Sequence, residues 1–283
     1  METRKSVLAG SWYPGTAEAC RREIEGFLDA PGMAEPADRA LTGGIVPHAG
    51  WFFSGDVACN VIARVARGPA PDTVVVYGMH LRPDDPRLIM AEGGWETPLG
   101  VLRIDEDLAA ALTARFDFEV ETPRRFTRDN TIELQLPFVR HFFGDVRILP
   151  IGAPPAAATL ELARAVAAAG AELGRSLRVL GSTDLTHYGA NYGFTPRGSG
   201  PAALAWVRDE NDRRIVEAML KMAPAAVIDE ALNRHNACCA GAAAAAIETA
   251  RQLGADRADL VAYTTSHDKS PGSSFVGYAG IVF

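Results

Sequence analysis

Disulfide-framework spacing is missing from this sequence. Its four cysteines, Cys20, Cys59, Cys238 and Cys239, form no pattern that would staple a small fold. Long apolar runs are missing too, since none approaches the roughly 18 residues that cross a bilayer. No basic-then-apolar leader precedes the first element, so a cytoplasmic protein with reduced thiols and no membrane partner is expected. Basic charge is in deficit: 28 Lys and Arg stand against 35 Asp and Glu, for a net charge of −7. Nucleic-acid affinity comes largely from basic neutralisation of phosphates, so that class of partner is not expected. There is no fixed-period repeat and no low-complexity stretch beyond the alanine run 241–246, which reads as a closely packed helix.

What remains is ordinary globular composition, 48% hydrophobic and 22% charged over 283 residues, enough to bury a large core. Length alone would allow two domains, but α/β sheets of this size often form one, and a single domain over 1–283 is expected. Alternation of strand and helix patterns dominates the chain, which makes the class α/β. Strands are expected near 7–13, 44–47, 73–78, 88–91, 101–104, 146–151, 177–181, 260–264 and 275–282. The pair 88–91 and 101–104 reads as antiparallel. Helices are expected from Thr16, from Ser54 acting as its own cap, from Asp105, from Asp129, and over 158–174, 202–222, 224–233 and about 238–253. Residues 31–40 read as a linker and 266–272 as a polar loop.

Three of these strands run into a histidine. Gly44-Ile45-Val46-Pro47 delivers His48, Thr73–Gly78 delivers His80, and Leu177–Gly181 runs into Asp184 and His187. Carboxyl ends of strands are where open α/β sheets bind ligands. Neutral imidazole is the commonest protein metal ligand, and thiolate suits zinc, iron and copper. His48 and His80 could therefore converge on one ion. Cys238 stands where a helix starts, a position that favours thiolate. Cys239 beside it is a competitor, because only one of two consecutive side chains easily faces a given point, and His235 is a rival ligand. Asp184 and His187 could serve as orienting group and general acid/base. Glu133 reads as a favourable charge at a helix start, His141 as a surface group, and His267 as a loop residue.

The chain resembles the Memo family, whose microbial members are also called AmmeMemoRadiSam system protein B. The resemblance rests on Val7-Leu8-Ala9-Gly10-Ser11-Trp12-Tyr13-Pro14, Pro47-His48-Ala49-Gly50-Trp51-Phe52-Phe53-Ser54-Gly55 and Trp95-Glu96-Thr97-Pro98-Leu99-Gly100. It continues through Ile132-Glu133-Leu134-Gln135-Leu136-Pro137-Phe138, Ser182-Thr183-Asp184-Leu185-Thr186-His187-Tyr188-Gly189 and Phe275-Val276-Gly277-Tyr278-Ala279. It implies a mixed sheet flanked by helices, similar to class III extradiol (LigB-type) dioxygenases, and a pocket of two histidines and one cysteine holding iron or copper. Carried over by motif, the ligands are His48, His80 and Cys238, with Asp184 and His187 lining the same pocket. Cys238 is preferred to Cys239 because the family's usual cysteine has a glycine three residues later in many microbial members, as Gly241 is here. Three departures stand out: Asn130 where His is common, Cys239 where Gly is usual, and Met79 where a small polar residue is common.

The expectation is a non-haem metal-binding protein with a dioxygenase-like, oxidoreductase pocket for Fe(II) or Cu. Two rivals come from other classes. One is a non-catalytic binding or adaptor protein that keeps the pocket for a small molecule or peptide. The other is a hydrolase in which zinc activates water beside Asp184 or His187.

Overall fold

Alternate side chains of the run Thr73–Gly78 serve two different cores. Val74 and Val76 pack on one side, Val75 and Tyr77 on the other, and all four are fully buried. A continuous apolar run encodes just such a strand, one inside a sheet with helices on both faces. Each Val, Ile or Leu enclosed this way contributes about 1.5–3 kcal/mol.

The protein was analysed as a computed structural model that describes residues 1–34 and 39–283. Of the expected linker 31–40, residues 35–38 therefore lie outside the described residues. In chain order the strands are β1 (Thr3–Arg4), β2 (Gly43–Val46), β3 (Thr73–Gly78), β4 (Leu88–Met90), β5 (Gly94–Thr97), β6 (Gly100–Ile104), β7 (Glu119–Glu121), β8 (Arg147–Gly152), β9 (Leu177–Ser182), β10 (His187–Tyr188), β11 (Asp259–Thr265) and β12 (Phe275–Val282). The helices are α1 (Ala17–Leu28), α2 (Trp51–Val65), α3 (Glu106–Thr113), α4 (Asn130–Glu133), α5 (Leu136–Phe143) and α6 (Ala157–Glu172). They continue with α7 (Pro201–Trp206), α8 (Asp212–Leu220), α9 (Pro224–Arg234), α10 (Ala240–Gln252) and α11 (Ser266–Lys269). A π-helical stretch, Val207–Asn211, joins α7 to α8.

Among the described residues the strands form one mixed sheet in the order β1-β5-β6-β8-β3-β9-β2-β12-β10, with β11 on β12 and β4 joined to β7 and β8. Strands β6, β8, β3, β9 and β2 are mutually parallel, and β12 returns antiparallel to β2. The carboxyl ends of β8, β3, β9 and β2 therefore share one edge. The core on one face contains Ile24, Val61 and Phe138 from α1, α2 and α5. That on the other contains the alanines of α10 and Leu162, Ala163 and Val166 of α6. Small residues let α10 lie close. A Cβ on Gly181 would sit 2.8 Å from the Ala246 Cβ, and one on Gly241 would strike the Ala153 carbonyl, so strand β9 and the loop after β8 meet this helix almost backbone to backbone.

Four departures from the sequence reading have an identifiable structural reason. Residues 7–13 form a turn closed by an Ala9–Tyr13 bridge, because the Val7 and Leu8 amides donate to Glu133 Oε1 (2.8 Å each) and not to a neighbouring strand. Helix α2 starts at Trp51, behind Gly50, and Ser54 lies inside it with its hydroxyl donating to the Ala49 carbonyl. Strand β6 pairs with β5, whereas β4 pairs with β7 and β8. The polar loop after β11 opens with α11, which Thr265 and Asp268 start by a reciprocal capping box.

Candidate metal centre

Each residue at the carboxyl edge is delivered by the end of a different element. His48 follows β2 after Pro47, and its backbone amide donates to Asp184 Oδ1 at 2.7 Å. His80 follows β3 after Met79, whose φ of 74° turns the chain out of the sheet. The Met79 amide donates to Thr131 Oγ1 at 2.7 Å, which secures this unusual backbone. Asp184 follows β9. Cys238 and Cys239 come from the opposite side, in the link between α9 and α10, with the Cys238 amide on the Asp184 carbonyl (3.1 Å) and the Cys239 amide on Thr183 Oγ1 (3.0 Å).

One donor atom from each of His48, His80, Cys238 and Cys239 lies within 4.8 Å of the other three, a group that could hold a metal ion. The rings of His48 and His80 meet edge to face with centroids 5.0 Å apart, and Cys238 Sγ stands 3.2 Å from His48 Nε2. Both imidazoles are anchored through Nδ1. Ser182 spends its only proton on the Thr131 carbonyl (2.7 Å), so its Oγ accepts from His48 Nδ1–H at 3.0 Å. His80 Nδ1 pairs with Asp129 Oδ2 at 3.0 Å. The Nε2 atoms are thus the ones left for the shared point, the arrangement seen where a carboxylate or hydroxyl orients a metal-binding histidine. Two imidazoles and thiolate sulfur suit Zn, Cu or Fe, so the residues fit such an ion.

The charges of these groups depend on one another. Burial alone would raise Cys238, but hydrogen bonding from Cys239 and the neighbouring His48 and His80 hold its thiol well below the ordinary value. Burial and the adjacent Cys238 push Cys239 the other way. His48 is raised against its own burial by Asp184 and Cys238. Against partial desolvation, His80, whose side chain is 44% exposed, is pushed up to about 10 by Asp129 and Cys238. Asp129 is brought down to about 2 in spite of burial, because His80 and Thr131 favour its charged form. These shifts favour the charged forms of Cys238, His48 and His80 together, and a bound cation would compete with protons for the same donor atoms.

Of the other sequence candidates, Asp184 is buried, and burial raises its carboxyl above the ordinary range. Its Oδ2 lies 3.9 Å from His48 Nε2. His187 is not part of the four-residue group. Its Nδ1–H donates to the Leu185 carbonyl at 3.1 Å, which leaves Nε2 with a free lone pair. Asn130 donates from Nδ2 to the His48 carbonyl at 2.8 Å and so braces the histidine loop. His235 ends α9 with φ 54°, is exposed and packs beside Phe194, outside the group. Glu133 is a clamp for the N-terminal turn, taking the Tyr13 hydroxyl as well as the Val7 and Leu8 amides. His141 lies on α5 and His267 on α11, both away from the group.

Sequence reasoning missed Asp129 and Ser182 as partners of the histidines. Asp129 was legible as a helix cap, since it stands two residues before Thr131, whose amide it accepts at 2.8 Å. Nothing in the sequence reveals that its second oxygen turns to His80.

Two clefts flank the group. One, of about 610 Å³, is lined by His48, His80, Asn130, Asp184 and the aromatic rings of Trp12 and Phe52. The other, of about 570 Å³, is lined by Cys238, Arg82, His235 and Phe194. His187 and Tyr192 stand in both walls. Both volumes are in the range of small-molecule sites.

Fold and site together define an α/β protein with a nitrogen-and-sulfur donor group at the carboxyl edge of its parallel strands. The chain belongs to the Memo family: the family model described as Memo-like protein matches residues 4–282. A MEMO1 family protein of Pyrococcus furiosus is 33% identical over 99% of this chain and 98% of its own length. One from Pyrobaculum arsenaticum is 32% identical over 100% and 99%, and one from Methanopyrus kandleri 32% over 99% and 98%. Among solved structures, an uncharacterized protein of Escherichia coli K12 shares the fold, with a TM-score of 0.52 at 13% identity over 78% of this chain and 90% of that one. No helix among the described residues is long and apolar enough to cross a membrane.

Proposed function

We propose that the chain is a single-domain, cytoplasmic metalloprotein that holds Fe(II) or Cu through His48, His80 and Cys238 and carries out oxidoreductase chemistry on a small molecule in the adjoining cleft. The observation that carries this reading is the anchoring of both imidazoles by Nδ1, which leaves their Nε2 atoms beside the Cys238 sulfur. When bound, such an ion supplies Lewis acidity and one-electron redox chemistry at the cleft wall. His187 accepts a proton at Nε2 from a molecule in the cleft and returns it, its ring fixed by the Leu185 carbonyl. Asp184 acts on the histidine, not on the substrate: one oxygen takes the His48 amide and the other faces its ring. The ring of Tyr192, 4.9 Å from that of His187, helps to shield the proton-carrying nitrogen from water.

Metal analysis of protein purified without oxygen tests the proposal. Stoichiometric iron or copper that disappears in Cys238→Ser, with oxygen uptake in the presence of a reductant, is the expected result. Zinc in its place would turn the reading towards hydrolysis. A metal-free protein would favour a second reading, a binding protein, for which the exposed rings of Trp12, Phe52 and Tyr192 around the cleft speak.

A further inference from the structure

We propose that Cys239 is a fourth donor to the same ion, so that this chain builds a two-histidine, two-cysteine cage. The inference rests on the three-donor reading above and adds one residue to it.

Distance is the first argument. Two sulfurs bound to one tetrahedral ion, each about 2.3 Å from it, stand about 3.8 Å apart, and a sulfur and a nitrogen about 3.6 Å apart. Cys239 Sγ lies 3.7 Å from Cys238 Sγ, and Cys238 Sγ lies 3.2 Å from His48 Nε2. A disulfide would need its sulfurs at about 2.05 Å, so the two thiols are unbonded, at a separation that a shared cation accommodates.

The backbone gives the second argument. Consecutive side chains diverge in a regular strand and in a helix, but Cys239 is in neither. It precedes α10 with φ −128° and ψ 52°, and both cysteine amides are held by the loop after β9. Gly241 lets this link approach the end of β8, where a side chain would collide with Ala153 and Pro154. The third argument is the setting of the sulfur itself. Cys239 is 2% exposed, and among the described residues its Sγ has no hydrogen-bond partner except Cys238. Besides packing in the core beside α10, this sulfur lies within 4.8 Å of three other donor atoms, where it can serve as a ligand.

A second thiolate moves the donor set to the soft side. Tetrahedral N2S2 suits Zn(II), and its thiolates suit Cu(I) better than Fe(II), so of the two redox ions named above copper fits this cage better.

Zinc X-ray absorption on the full chain, reduced and loaded with one equivalent of Zn(II), tests the assignment without any assay of activity. The expected shell is two sulfurs and two nitrogens, falling to one sulfur in Cys239→Ala and in Cys239→Ser, with zinc affinity reduced at least about tenfold by competition with a chromophoric chelator. Serine keeps the size of the side chain, and circular dichroism checks that both variants fold. One sulfur in the wild type and in both variants would overturn the role of Cys239 and leave the three-donor centre standing. No sulfur in any of them would overturn both.

Discussion

Cys20 and Cys59 are buried side chains of helices α1 and α2, and Cys238 and Cys239 lie where several element ends meet at the edge of the sheet. Cys20, Cys59 and Cys239 are buried and Cys238 is half-buried, and the outcomes differ. Among the described residues the Cys20 thiol hydrogen-bonds to the Pro14 carbonyl alone, and burial with Glu23 nearby pushes it up to about 11. Cys59 faces the Ile24 carbonyl, and burial together with Asp56 takes it to about 12. Cys238 has two imidazoles and a second sulfur against it, and its thiol goes down. The comparison teaches that desolvation sets the default for a buried thiol and that hydrogen-bond donors and imidazoles converging on the sulfur reverse it.

The largest expected effect is in thiol reactivity. In reduced, metal-free protein at pH 7, iodoacetamide should alkylate Cys238 at least about 1,000-fold faster than Cys20 or Cys59, read by peptide mass spectrometry. The Cys238 rate should fall as pH drops through its depressed pKa, because only the thiolate reacts. Equal rates at the three sites would erase the contrast.

Asp212 extends the same comparison to a carboxylate. It accepts from the Thr186 amide at 3.0 Å and from the Tyr263 hydroxyl at 2.7 Å, yet burial raises it to about 7. A folded pKa above the unfolded one means stability fully present below about pH 4 and lost as pH rises through 7. Urea unfolding should show a loss on the order of 3–4 kcal/mol between pH 4 and pH 8, which Asp212→Asn removes. A wild type whose stability over that window matched the variant's would show that partners, not burial, govern this group.

Asp129→Asn weakens the grip on His80 without touching a proposed ligand. Metal affinity should drop about 10–100-fold, and the His80 ring, followed by NMR in the metal-free protein, should titrate at a lower pH than in the wild type, because the carboxylate that favours its charged form is gone. The smallest effect belongs to the other side of the comparison. Cys59→Ala should leave metal binding unchanged and cost about 1–2 kcal/mol in stability for the small cavity it opens.

The arrangement of the site was readable only where one element supplies one residue. Apolar runs 44–47, 73–78 and 177–181 gave the three central strands and, with them, the placement of His48, His80 and Asp184 at the edge. Local caps such as Thr16 and Asp105 were equally plain, because their partners lie three residues on. What the chain could not disclose depends on partners far away in sequence. The Val7–Tyr13 turn is dictated by Glu133, more than a hundred residues later. The pairing of β4 with β7 and β8 follows from the sheet, not from the strand itself. Asp129 and Ser182 orient the histidines across gaps of 49 and 134 residues, and Cys239 gains its place from a backbone bend that periodicity does not predict.

Anomalous diffraction at the iron, copper and zinc edges, on crystals of protein purified without oxygen, tests the central claim most directly. The account predicts one peak bonded to His48 Nε2, His80 Nε2 and Cys238 Sγ, at about 2.0–2.1 Å from the nitrogens and about 2.3 Å from the sulfur. A stoichiometric metal peak elsewhere in the molecule, with those three atoms unbonded to it, would contradict it.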